Sequence, residues 1–305
     1  MRASGWVLTC DPGVDDAVAL AVAAGRDDCR MEAVVAGAGN VPAGTAWRNA
    51  AGIAALVGLA LPVGIGSACA TDGATIHRPG GRHGDDGLAG LSGRLPAVDG
   101  PPPDGLPSVQ GNVLATGPLT DCALALRAGQ RIERVVWMGG SAEVGPSRSD
   151  AGGSDGGSDV AEFNAAADPG AVDVVLGGPA HVDVVPIEIT RQVTLRSDDL
   201  ARWSAGTAVS RFCADVVTAR GATGTTARSM TTGTTGMTAF VVHDAVAVIA
   251  ALEPGLFDWS PRRLAASASG RLASLPGSEN ARLAVDVDAA AVRTRIVAAV
   301  AAVTS

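Results

Sequence analysis

The chain has 305 residues, 47% of them hydrophobic and 18% charged, the profile of a globular protein with a large core rather than of a disordered or fibrous one. Its formal net charge is −8 and all 23 basic residues are scattered arginines, so no basic face is expected to neutralise phosphates and nucleic acid is an unexpected partner. The absence of lysine removes P-loop and Schiff-base chemistry, and no apolar run is long enough to span a bilayer. Five widely spaced cysteines (Cys10, Cys29, Cys69, Cys122, Cys213) form no CxxC pair, which argues against a disulfide framework and a zinc site. A reducing cytoplasm is expected from this cysteine usage, and the first residues reach an acidic cluster before any apolar stretch forms, so they are not expected to serve as a secretory signal.

Short β-branched runs alternate with Ala/Leu/Val stretches at helical spacing, the rhythm of βαβ units. The predicted order is a strand at Trp6–Thr9, a helix at Asp15–Ala24, a strand at Met31–Ala36 and a helix at Thr45–Leu59. A strand at Asn112–Ala115 and a helix at Thr120–Ala128 follow, then a strand at Arg134–Met138, a helix at Ala171–Leu176 and a strand at Val182–Ile187. Helices are expected to dominate after Asp198. The predicted fold is a single α/β domain over residues 1–305, with a central, mostly parallel sheet flanked by helices. Three segments interrupt the rhythm and read as loops: Gly66–Gly111, Ser141–Asp159 and Gly221–Thr238. In a parallel sheet, long loops after strand C-termini form the ligand crevice.

At Cys10–Ala17, three carboxylates (Asp11, Asp15, Asp16) stand where an apolar strand turns through Pro12 and Gly13 into a helix. A helix dipole stabilises each by only about 0.3–1 kcal/mol, too little to hold three like charges together. The all-oxygen donor set points to a cation of the calcium or magnesium class. Read without a cation, Asp11 caps the helix and Asp15 and Asp16 are ordinary N-terminal charges. His243-Asp244 and Thr116–Asp121 occupy similar junctions.

These residues resemble the inosine–uridine-preferring nucleoside hydrolase family, whose signature DxDPGxDDA ends the first strand. Further resemblances follow in order: Gly39-Asn40, Arg48-Asn49-Ala50, His83–Leu88, Ala115–Ala123, Met138–Gly140, Ala161–Asn164, Asp168-Pro169 and His243–Ala245. The resemblance implies calcium-dependent hydrolysis of the N-glycosidic bond of a ribonucleoside, in a homodimer or homotetramer. It implies calcium ligands at Asp11, Asp16, Asp244 and the carbonyl of Thr116, with Asp11 the general base toward a water beside C1′. Asp15 and Asn164 would grip the ribose hydroxyls, Glu162 the 5′-hydroxyl side and Asn40 the ribose pocket. His83 and His243 would flank the base, and His243 would protonate it, an imidazole needing only a small shift to act near neutral pH.

Two departures stand out. Thr9 replaces the first aspartate of the signature, with its hydroxyl expected on Asp11, and Gly156 replaces an asparagine expected near the 5′-hydroxyl. The alternative they support is a diverged, noncatalytic ribosyl-binding relative; a magnesium phosphohydrolase is disfavoured by the missing lysine and phosphate-cradling loop. The Gly221–Thr238 loop is expected to close over the base, and Trp47, Trp137, Trp203 and Trp259 are expected to pack rather than stack on it.

Overall fold

The computed structural model describes residues 5–76, 82–98, 100, 108–142, 162–222 and 239–304. The first half follows the predicted alternation: β1 (Trp6–Cys10), α1 (Val14–Ala24), β2 (Met31–Ala36), α2 (Ala43–Leu56), β3 (Val63–Ile65), β4 (Gly111–Ala115), α3 (Thr120–Arg127) and β5 (Ile132–Met138). Next come α4 (Phe163–Ala167), α5 (Pro169–Leu176), β6 (His181–Val185), α6 (Ile187–Thr190), β7 (Thr194–Arg196), α7 (Ser197–Ser204), α8 (Ala208–Ala222) and β8 (Ala239–Val241). The chain then forms α9 (His243–Leu252), β9 (Phe257–Arg262), β10 (Leu264–Ala266), β11 (Leu272–Ser274), β12 (Ala281–Val287) and α10 (Ala289–Ala302).

Eight strands form one sheet in the order β3-β2-β1-β4-β5-β6-β12-β9, parallel except where β9 runs antiparallel to β12 at one edge. Both faces are covered, which is why the inner strands read as continuous apolar runs. Leu8, Val34, Leu114, Val136 and Val185 point to the face carrying α1, α8, α9 and α10, while Val7, Val35, Val113, Val135 and Val184 point to the face carrying α3 and α5. Four of the five tryptophans pack as expected: Trp47, Trp137, Trp203 and Trp259 each donate the indole N–H to a backbone carbonyl. Among the described residues no helix is long and apolar enough to cross a membrane.

Helices outweigh strands among the described residues after Asp198, as expected, but the five strands β8–β12 were not foreseen, and β12 is an inner strand of the main sheet. Its sequence ARLAVDV contains helix-compatible Ala, Arg and Leu; what makes it a strand is pairing with β6 on one side and β9 on the other. The strand predicted to run on to Ile187 ends at Val185, because Pro186 cannot donate to the ladder and Ile187 begins α6. Of the two later loops, only Ser141, Ala142, Gly221 and Ala222 are described, so the proposed lid and Gly156 lie outside the described residues.

β1 leads to β2 and β3 on one side, whereas β4, β5 and β6 extend the sheet on the other, so the order reverses between β1 and β4. Loops leaving these two strands diverge and open a crevice, where α/β sheets bind ligands. A second acidic group lies nearby: Asp121, at the start of α3, is 7% exposed and accepts a hydrogen bond from Ser67 N at 2.8 Å. Gly66 passes so close that a side chain there would collide with its carboxylate. Burial pushes Asp121 up from 3.8 to about 6, so its ionisation opposes folding as pH rises through that window and the full cost is present above it. Asp121→Asn keeps the acceptor for Ser67; it should stabilise the chain by up to about 3 kcal/mol at pH 8 and by almost nothing at pH 3, read as urea midpoints. Equal shifts at both pH values would contradict this origin.

Candidate active site

The turn from β1 into α1 carries Asp11, Asp15 and Asp16, all buried. Asp11 does not cap the helix. Its Oδ2 accepts from Asn40 N at 2.8 Å, while Asn40 Nδ2 donates to the Asp11 carbonyl at 3.2 Å, so one asparagine holds both ends of the residue. Gly39 lies against the same carboxylate, where a side chain would collide with it. Asp16 is held by Gly13 N (2.9 Å) and by the hydroxyl of Thr116 (2.7 Å), which ties α1 to the end of β4. The Thr9 hydroxyl does not reach Asp11 as expected: it pairs with Cys122 Sγ at 3.7 Å, because alternation along β1 turns it toward α3.

One cavity is lined by Asp11, Asp15, Asn40, His83 and Thr116 from the first half of the chain and by Glu162, Asn164, His243 and Asp244 from the second. Every residue singled out for the site therefore borders it except Asp16, which stands behind Thr116. Asn49 explains part of the convergence: its amide donates to the carbonyls of Pro12 (3.2 Å) and Asp86 (2.8 Å), fastening the β1 turn to the His83 loop. Asp86 shapes that loop by accepting from Leu88 N, Gly90 N and Ser92 N.

The two histidines differ. His83 Nδ1 accepts from Val14 N at 2.9 Å, so the neutral ring carries its proton on Nε2 and is a donor. His243 Nδ1 lies 2.7 Å from the Thr190 hydroxyl, whose proton goes to the Ile187 carbonyl; Nδ1 is then the donor and Nε2 keeps the lone pair. Burial pushes both rings down to about 4, with the Arg220 charge adding to the effect. For His243 that is a large downward shift rather than the small one expected.

On the opposite wall, both protons of Asn164 Nδ2 go to the carbonyls of Thr116 and Met138, each at 2.9 Å, which leaves Oδ1 as an acceptor. Glu162 caps α4: its carboxylate accepts from Gly140 N, Asn164 N and Ala165 N, three of about four available positions. Burial raises its pKa although all three hydrogen bonds oppose the shift. Asp168, in another of the quoted motifs, caps α5 and binds Thr71 and Thr120, a structural role.

Burial, reinforced by mutual repulsion, pushes Asp11 and Asp244 well above the usual carboxylate range and Asp16 up to about 6. Asp15 goes the other way: burial is the largest single influence and works to raise it, but the Arg220 guanidinium together with His243 and His83 holds it below the ordinary value. Among the described residues no three His, Cys, Asp or Glu side chains stand in ligand geometry about one point, so the carboxylates are gathered without forming a closed shell. The chemistry of the set, three repelling carboxylates with the Thr116 carbonyl beside them and no sulfur in the cavity wall other than Met138, fits a hard divalent cation.

Sequence reasoning missed Arg220, Arg82 and Ile187, and gave no role to Phe163 within the quoted Ala161–Asn164; all four also line the cavity. Arg220 ends α8 outside every quoted motif, and its Nη1 pairs with Asp15 Oδ1 although the two lie 205 positions apart. Nothing local marks such a partner; only the packing of α8 on α1 reveals it.

A pyrimidine-specific ribonucleoside hydrolase, RihA, of Shewanella oneidensis is 31% identical over 217 residues, covering 64% of this chain and 63% of the relative. The RihA of Photobacterium profundum is 30% identical over 211 residues, covering 64% of each chain. The chain thus spans somewhat less than two thirds of the length of these relatives. Among solved structures, a plant nucleoside hydrolase, PpNRh1, superposes with a TM-score of 0.83 at 22% identity, over 98% of this chain and 99% of that one. A purine-preferring ribonucleoside hydrolase from Gardnerella vaginalis gives 0.82 at 22% identity, over 98% of both chains. Residues 6–298 match the family description "Inosine-uridine preferring nucleoside hydrolase", and the chain belongs to that family.

Proposed function

We propose that the protein hydrolyses the N-glycosidic bond of a ribonucleoside to ribose and free base, with a resident calcium ion. The observation that carries this reading is the convergence of Asp11, Asp15, Asp244, Thr116 and Asn164 on one cavity at the β1/β4 crevice, with Asp16 directly behind. Asp11, Asp16, Asp244 and the Thr116 carbonyl would hold the ion, whose charge favours ionised carboxylates and lowers the pKa of a nearby water.

Asp11, fixed through Asn40, accepts the proton of the water that attacks C1′. As the C1′–N bond breaks, positive charge grows on the sugar, and the surrounding carboxylates favour it. Asp15 and the free Oδ1 of Asn164 accept from the ribose hydroxyls, and the remaining acceptor position of Glu162 serves the 5′-hydroxyl side. The bond electrons move to the base. There His83 donates from Nε2 and His243, once protonated, delivers a proton. A cytoplasmic setting, which suits five free cysteines, and a homodimer or homotetramer belong to the same reading.

With calcium supplied, release of reducing sugar from uridine or inosine is expected, and chelation with EDTA should abolish it. Asp11→Asn should lower kcat by about 10²–10⁴-fold. Sugar release unaffected by either change would overturn the assignment, and a wild-type chain that binds ribosides without cleaving them is the diverged binding relative. His243→Ala should lower kcat for uridine by about 10²-fold or more, but by less than about tenfold for 4-nitrophenyl β-ribofuranoside, whose leaving group departs unprotonated. Equal losses on both substrates would contradict proton donation by His243.

A further inference from the structure

Arg220 lines the cavity, and its side chain directly contacts Asp15, a carboxylate assigned to the sugar. It sits in the last turn of α8, 6% exposed, and meets Asp15, 4% exposed, in the first turn of α1. Nη1 engages Oδ1 of Asp15, and among the described residues no other hydrogen bond to that carboxylate is formed. An aspartate's terminal torsion is broad, so a carboxylate with a single attachment to its backbone swings between two acceptor orientations. A guanidinium on one oxygen removes that freedom, and its planar fork does so with less residual motion than an ammonium would leave.

We propose that Arg220 is a positioning residue for sugar recognition: by fastening Oδ1 of Asp15 it presents Oδ2 to the cavity as the acceptor for a ribose hydroxyl. This rests on the hydrolase reading and deepens it, assigning discrimination between ribosides and 2′-deoxyribosides partly to an arginine outside every motif. Arg220 acts through Asp15 and need not touch the substrate.

The test compares wild type, Arg220→Lys and Arg220→Met on uridine and 2′-deoxyuridine. It is joined by calorimetric titration of the calcium-loaded protein with ribose and with 2-deoxyribose. A hydrogen bond to a charged group supports a preference of roughly ten- to hundredfold. Arg220→Met should lower the uridine to 2′-deoxyuridine ratio of kcat/KM by about tenfold or more, mainly through KM for uridine, with Arg220→Lys intermediate. The calorimetric preference for ribose should fall in the same order. If both substrates lose activity equally and the ratio holds, Arg220 only supports the fold and the proposal is overturned. Should Arg220→Met fail to fold, the Lys variant decides by the same ratio. If wild type cleaves no riboside, the hydrolase reading fails by itself, and the sugar titrations still decide the role of Arg220.

Discussion

The structure is organised around a carboxylate problem at the end of β1. Asp11, Asp16 and Asp244 are each at most 5% exposed, and Asp15, the fourth acid of the group, already has a cation in Arg220. Removing like charges from water together is among the most costly things a fold can do, and proteins resolve it by protonation or by a counter-charge. Burial and mutual repulsion push Asp11, Asp16 and Asp244 upward, the direction of the first solution. A bound divalent ion would be the second, and under the proposed function it would turn the same acids into ligands and a base.

The rest of the site serves to hold this cluster still. Asn40 fixes Asp11, Thr116 and Gly13 fix Asp16, and Asn49 fastens the turn between them to the His83 loop. Across the cavity, Asn164 bridges the ends of β4 and β5 through two carbonyls, and Glu162 draws three backbone N–H groups toward α4. Such supports lower the reorganisation needed when charge develops, which is the larger part of electrostatic catalysis. They also give several quoted motifs a structural meaning: Asn49, Asp86 and Asp168 build the walls rather than face a ligand.

Much of this was legible in the sequence because parallel sheets bury both faces of their strands and place ligand groups at strand ends. Trp6–Thr9, Met31–Ala36 and Arg134–Met138 stand in strands for that reason, and Asp11, Thr116 and Asp244 fall at junctions recognisable by composition. Long-range pairing was not legible. β12 is a strand because of β6 and β9, the Thr9 hydroxyl meets Cys122 because of strand alternation, and Arg220 meets Asp15 across the interface of α8 and α1. The burial of His243 was not legible either: it depends on the packed fold and moves the ring down to about 4.

The central claim is that the acids around Asp11 share one divalent ion. A crystal structure of the protein grown with calcium tests it most directly. The account predicts an ion with oxygen ligands at about 2.3–2.6 Å drawn from Asp11, Asp16, Asp244 and the Thr116 carbonyl. A well-ordered site containing calcium in the crystal but no ion shared by these groups would contradict it.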